Sequence, residues 1–116
     1  MLFVYYPKCS TCQKAKKWLD ENSIKYTERH IVEDNPKYDE LKEWFTKSGL
    51  PLKKFFNTSG LLYKEMQLKD KLPVMSEEEG LKLLATNGML VKRPIVIMKN
   101  GILIGFKEAE WGEKLK

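Results

Sequence analysis

Residues 2–12 read LFVYYPKCSTC, and the parsing of that stretch decides the fold. Leu2 to Tyr6 is a run of apolar and aromatic residues that favours the pleated conformation, so it reads as a strand. From Ser10 or Thr11 onward the period changes. Ala15, Trp18 and Leu19 fall at i, i+3 and i+4 on one helical face, with Lys14, Lys16, Lys17 and Glu21 mostly on the other. Asn22-Ser23 ends that helix. Residues 24–32 then alternate loosely through Ile24, Tyr26, Glu28 and His30 and close on Ile31-Val32, which reads as a second strand. Strand, helix and strand within about thirty residues make a βαβ unit whose two strands lie parallel. Cys9 and Cys12 stand where the first strand meets the first helix.

That junction has chemical consequences. The first turn of a helix carries unpaired N–H groups and the positive end of the helix dipole. A thiolate there is stabilised, so its pKa falls below the free value of ~8.5 and more of the nucleophilic form exists at neutral pH. Cys9, at or before the helix start, is the more exposed thiol and the expected nucleophile. Cys12, one turn in, is the more buried and the expected resolving thiol. Two other readings exist for such a pair. Structural zinc needs about four ligands, and only Cys9, Cys12 and the single His30 offer themselves. Two inert core cysteines would not need to share the N-terminal turn of a helix.

Further along, Asp34 or Asn35 is the expected cap of a second helix with Pro36 in its first turn, Tyr38, Leu41, Trp44 and Phe45 on its apolar face and Gly49 as its stop. LPLKKFFNTSG (residues 50–60) predicts a short helix and a turn. Residues 61–72 are expected to be one helix ended by Pro73. Ser76 with Glu79 is a capping-box pattern that opens a helix carrying Leu81, Leu84 and Ala85. PIVIM and ILIG, joined by Asn100-Gly101, predict a β-hairpin with a type I′ turn. Residues 107–116 read as a terminal helix. The predicted fold class is α/β: a thioredoxin-like fold in one domain over residues 1–116, with a helical insertion over 35–73 between the N-terminal βαβ unit and the C-terminal hairpin and helix.

KRPIVI (residues 92–97) adds a second element of the site. A proline at a strand start invites a cis peptide bond, because the tertiary amide lowers its cost to ~0.5–1 kcal/mol. In thioredoxin-like folds such a proline, here Pro94, faces the cysteine pair. Arg93 would then put a fixed cation beside Cys9, lowering its pKa and holding an anionic group. His30, by contrast, reads as structural.

Composition bounds the rest. The 116 residues are 42% hydrophobic and 32% charged, which suits one globular domain. The formal net charge of +5 is carried almost wholly by lysine, with only Arg29 and Arg93 as arginines, so it reads as a solvated surface rather than a nucleic-acid footprint. No apolar run approaches the ~20 residues a membrane helix needs, and MLFVYY lacks a signal-peptide layout. A cytoplasmic protein without membrane or direct nucleic-acid partners is expected.

CSTCQKAKKWLDE, FFNTSGLLYKEM and KRPIVI…GFKEAEW together resemble the arsenate reductase family of the thioredoxin superfamily, including its Spx-type branch, over essentially the whole chain. The resemblance implies a nucleophilic Cys9, a resolving Cys12 and an active-site Arg93. It also implies substrate contacts from Lys8, Ser10, Thr11, Pro94 and Lys107. No bound cofactor or metal is implied; glutathione or thioredoxin would serve as reductant, with a thiol or small anion as substrate. The family's glutathione-dependent enzymes use one cysteine and three arginines. Here there are two cysteines, and Lys53 or Lys54 and Lys107 stand for two of the arginines. The expected function is therefore thiol–disulfide exchange. The alternatives are an Spx-type redox regulator binding the RNA polymerase α subunit, and a true arsenate reductase.

Overall fold

β1, Leu2–Tyr5, is covered on both sides, and this organises the molecule. Successive strand residues point to opposite faces. Phe3 packs with Ala15, Trp18, Leu19, Val96, Leu103 and Trp111. Val4 faces the other way, into a larger core with Ile31, Leu41, Trp44, Phe55, Phe56 and Ile95. Both side chains are fully buried. Burial of each such side chain contributes about 1.5–3 kcal/mol, so β1 is held from two layers at once. The computed structural model describes residues 1–116.

The helix α1, Ser10–Glu21, crosses over the first face and returns the chain to β2, Thr27–His30, which pairs parallel to β1. The hairpin of β3, Ile95–Met98, and β4, Gly101–Ile104, completes a sheet of order β2-β1-β3-β4. Here β3 runs antiparallel to both neighbours. The terminal helix α6, Glu108–Leu115, lies beside α1 and buries Trp111 completely. Its indole Nε1 donates to the Gly105 carbonyl at 3.0 Å, and its ring meets Phe106 edge-on at 4.9 Å and Trp18 at 6.0 Å. Between β2 and β3 the second face is covered by α2 (Tyr38–Ser48), α3 (Leu61–Glu65), α4 (Leu68–Lys71) and α5 (Glu77–Leu84). This is the mixed α/β architecture expected, of the thioredoxin-like class.

Three local expectations are corrected. First, α2 starts after Lys37 rather than at Asp34 or Asn35. Asn35 is otherwise engaged, its Nδ2 donating to the carbonyls of Pro36 and Ala85, and the Asp34 carbonyl accepts from Arg29. The Lys37 N–H is instead satisfied by the Glu40 carboxylate at 3.0 Å. Lysine has no acceptor to return, so only half a capping box forms. Second, residues 61–72 are not one helix. The chain breaks at Gln67, in the left-handed region at φ 54°, and Pro73 sits in a 3-10 turn over Leu72–Val74. Tyr63 and Leu68 both enter the same core. Five residues apart, an unbroken helix would point them about 140° from each other. Third, the hairpin loop is Lys99-Asn100, because Met98 pairs with Gly101. Neither loop residue has a positive φ, so the turn is not type I′. The observed register sets buried Val96 opposite buried Leu103, whereas a loop at Asn100-Gly101 would set Val96 opposite Gly105. The capping box at α5 forms as expected, with reciprocal bonds between Ser76 and Glu79 at 3.1 Å each.

Candidate active site

The strand-to-helix junction positions both thiols. Cys9 is the N-cap residue of α1 with extended backbone (φ −85°, ψ 123°), and its N–H donates back to the Tyr6 carbonyl at 3.0 Å. Its side chain is half-buried. Cys12 lies one turn on and is fully buried. The Gln13 side chain ties the junction by donating to the Pro7 carbonyl at 2.9 Å.

Electrostatics split the pair. Burial alone pushes the Cys9 thiol up. Against it act the Cys12 backbone N–H, the Cys12 thiol, the Arg93 guanidinium and the Thr11 N–H, and the net result lies below the ordinary thiol value. These donors satisfy the anion, not the thiol. Burial pushes the Cys12 thiol up to about 12, and the neighbouring Cys9 charge adds to the rise. Cys9 is therefore the more acidic thiol of the pair, and the Cys12 thiol is one of its hydrogen-bond donors.

Arg93 arrives from the far end of the chain, just before β3, and the Arg93–Pro94 peptide bond is cis. Its Nη1 donates to the Met89 carbonyl at 3.3 Å, and its guanidinium carbon stands 5.2 Å from the centre of the Tyr6 ring. Tyr6 in turn meets His30 edge-on at 5.7 Å. His30 Nδ1 accepts from the N–H groups of Val32 and Glu33, so it stabilises the turn after β2 and does not join the thiols.

The structure thus brings together Cys9, Cys12, Thr11 and Arg93, and Pro94, next to Arg93 in the chain, is buried. Lys8 and Ser10 flank Cys9 and are exposed. Lys107 is the N-cap of α6 and shares a groove with Thr11 and with Lys53 and Lys54. Two contributors escaped the sequence reading. Tyr6 gives its carbonyl to Cys9, its N–H to the Cys12 thiol and its ring to Arg93. The Met89 carbonyl anchors Arg93. A second tyrosine directly before the cysteine turn was the available signal for Tyr6. Nothing in the sequence marks the Met89 carbonyl, since any residue would supply one.

Against the ArsC family model, residues 4–114 match. The chain belongs to the ArsC family. Among the solved structures of similar proteins, an ArsC-family-related protein from Bacteroides fragilis is 65% identical, covering 99% of this chain and 96% of its own, with a TM-score of 0.96. An arsenate reductase from Vibrio cholerae is 26% identical over 100% of this chain and 98% of its own, with a TM-score of 0.83. Among curated relatives, the Bacillus subtilis protein YusI is 53% identical over 97% of this chain and 96% of its own length. The global transcriptional regulator Spx 2 of Bacillus anthracis is 30% identical over 88% of this chain and 76% of its own. This chain is therefore similar both to a protein named as an enzyme and to one named as a regulator.

Proposed function

We propose that the chain is a thiol–disulfide oxidoreductase in which Cys9 attacks and Cys12 resolves. The observation that supports this most directly is the opposite displacement of the two thiols within one helical turn. The Cys9 thiolate attacks one sulfur of a substrate disulfide. A mixed disulfide forms at Cys9, and the other substrate sulfur leaves as a thiolate and takes up a proton. Cys9 is then neutral. Part of what holds the Cys12 thiol up was the Cys9 charge, so its loss lets Cys12 ionise more readily. Cys12 gives up its proton and attacks the Cys9 sulfur, and the second substrate thiolate is released. The substrate has gained two electrons and the enzyme holds a Cys9–Cys12 disulfide. A thiol reductant of the glutathione or thioredoxin type returns it to the dithiol. Arg93 steadies the Cys9 anion as attacking and as leaving group.

The test is trapping. With glutathione disulfide as substrate, the wild-type protein accumulates the internal disulfide by mass spectrometry, Cys12→Ser accumulates a mixed disulfide at Cys9, and Cys9→Ser accumulates neither. A mixed disulfide forming chiefly at Cys12 would reverse the assignment. Absence of any internal disulfide would end it. The similarity to Spx 2 favours a second reading, in which the same dithiol switches a regulator bound to RNA polymerase. That reading predicts capture of the polymerase α subunit only in one redox state, and no multiple turnover.

A further inference from the structure

A groove of about 1010 Å³ runs beside β4. Every residue from Gly101 to Lys107 lines it. A groove over the face of a strand would show alternate residues, so this one follows the strand's edge. β4 is the last strand of the sheet and pairs only with β3. The Gly105 N–H donates to the Pro94 carbonyl at 2.9 Å. In an antiparallel ladder the bonded positions alternate, so Leu103 and Gly101 also point their backbone groups toward β3. The N–H and C=O of Ile102 and Ile104 point the other way, into the groove.

The walls are cationic. Lys47, Lys53, Lys54, Lys92, Lys107 and Lys114 line the groove against a single carboxylate, Glu110. None of these six lysines forms an ion pair. Lys47 alone has a partner, the neutral Met98 carbonyl at 2.8 Å. Charge of one sign lining a concave surface focuses the field there and concentrates the opposite sign. The lysines come from residues 47 through 114 and are gathered only by the fold. A nucleic-acid strand fits less well, because the walls carry no arginine, and Phe106 is the one aromatic ring there that is not buried.

We propose that this groove docks an extended acidic polypeptide segment, which pairs with the Ile102–Ile104 edge as an added strand while its carboxylates meet the lysines. Thr11 is among the residues lining the groove, so a docked segment passes close to the Cys9 turn. The proposal concerns binding and stands whether or not Cys9 turns over.

The probe is a fluorescein-labelled decapeptide of alternating glutamate and threonine, titrated into the full-length protein and read by anisotropy and by amide hydrogen exchange. Binding is expected, weakening as ionic strength rises toward physiological values. The Ile102 and Ile104 amides should gain protection. Methylating alternate peptide nitrogens, in the phase that faces β4, should weaken binding about tenfold through lost strand bonds. The surface variant Lys53→Glu/Lys114→Glu should weaken it about tenfold or more, and Cys9→Ser should leave it unchanged. The proposal is overturned by no binding, by binding without protection at Ile102 and Ile104, by equal binding of both methylated phases, or by tighter binding of a thymidine decanucleotide.

Discussion

Replacing Arg93 by alanine removes one of four donors that hold the Cys9 anion, the others being the Cys12 and Thr11 N–H groups and the Cys12 thiol. A hydrogen bond to a charged group contributes about 1.5–3 kcal/mol, and one pKa unit corresponds to 1.36 kcal/mol. Complete loss would therefore raise the Cys9 pKa by ~1–2 units. Three donors remain and Cys9 is half-buried, so water partly replaces the guanidinium and the expectation is ~1 unit. Arg93→Lys keeps the charge without the planar fork and should recover about half of the shift. The thiolate absorbs near 240 nm, and because Cys12 is pushed up to about 12, the rise between mildly acidic and mildly basic pH belongs to Cys9 alone. Circular dichroism controls for the loss of the bond to Met89. A Cys9 pKa that moves by less than ~0.3 unit in Arg93→Ala would mean that the guanidinium serves only Tyr6 and Met89, and the argument for its place beside the thiol would fail.

Glu40 is held at about 2, first by the Arg29 fork and then by the Lys37 N–H. Its folded pKa lies below the unfolded value, so the stability it adds is present above about pH 4.5 and is lost as pH falls toward 2. With the side chain 35% exposed, Glu40→Gln should cost a screened ~1–2 kcal/mol at pH 7 in urea unfolding, and the gap from wild type should close in acid; a gap independent of pH would refute the ion-pair account. Gly88→Ala would set a Cβ 2.0 Å from the Ile31 carbonyl oxygen. It should destabilise by at least ~1–3 kcal/mol and lower the Tm by about 4–8 °C per kcal/mol; an unchanged Tm would mean that the two backbones can part freely. Arsenate reduction should be at least ~100-fold weaker than in a three-arginine enzyme, since Lys53 or Lys54 and Lys107 lack paired, oriented donors. Robust turnover with glutathione–glutaredoxin or with thioredoxin would contradict that.

The βαβ unit was legible because two periods, one strand-like and one helical, meet at Pro7–Ser10, and local pattern decides such a boundary. The same holds for the α5 capping box, whose partners lie three residues apart. The break at Gln67 was not legible, because it serves the joint burial of Tyr63 and Leu68 in a core built from distant elements. The start of α2 depends on Ala85 claiming the Asn35 side chain from fifty residues away. Cys9, Cys12 and Arg93 could be named as candidates because their chemistry is carried by residue type. Tyr6 contributes mainly through backbone groups and a ring face, which residue type does not reveal. The lysine groove is likewise invisible in the sequence, where the same lysines look like an evenly solvated surface.

The two cores that meet at β1 also differ optically. Trp18 and Trp111 lie in the layer of α1 and α6, whereas Trp44 lies in the layer of α2 to α5, its ring 5.8 Å from the Arg29 guanidinium carbon. Each layer thus carries its own fluorophore. Phe3 and Val4 are adjacent residues in opposite layers, so neither layer can release β1 without uncovering the other. Single-tryptophan variants would watch the two halves separately, and coincident emission changes would report that this one four-residue strand makes the two layers melt as one.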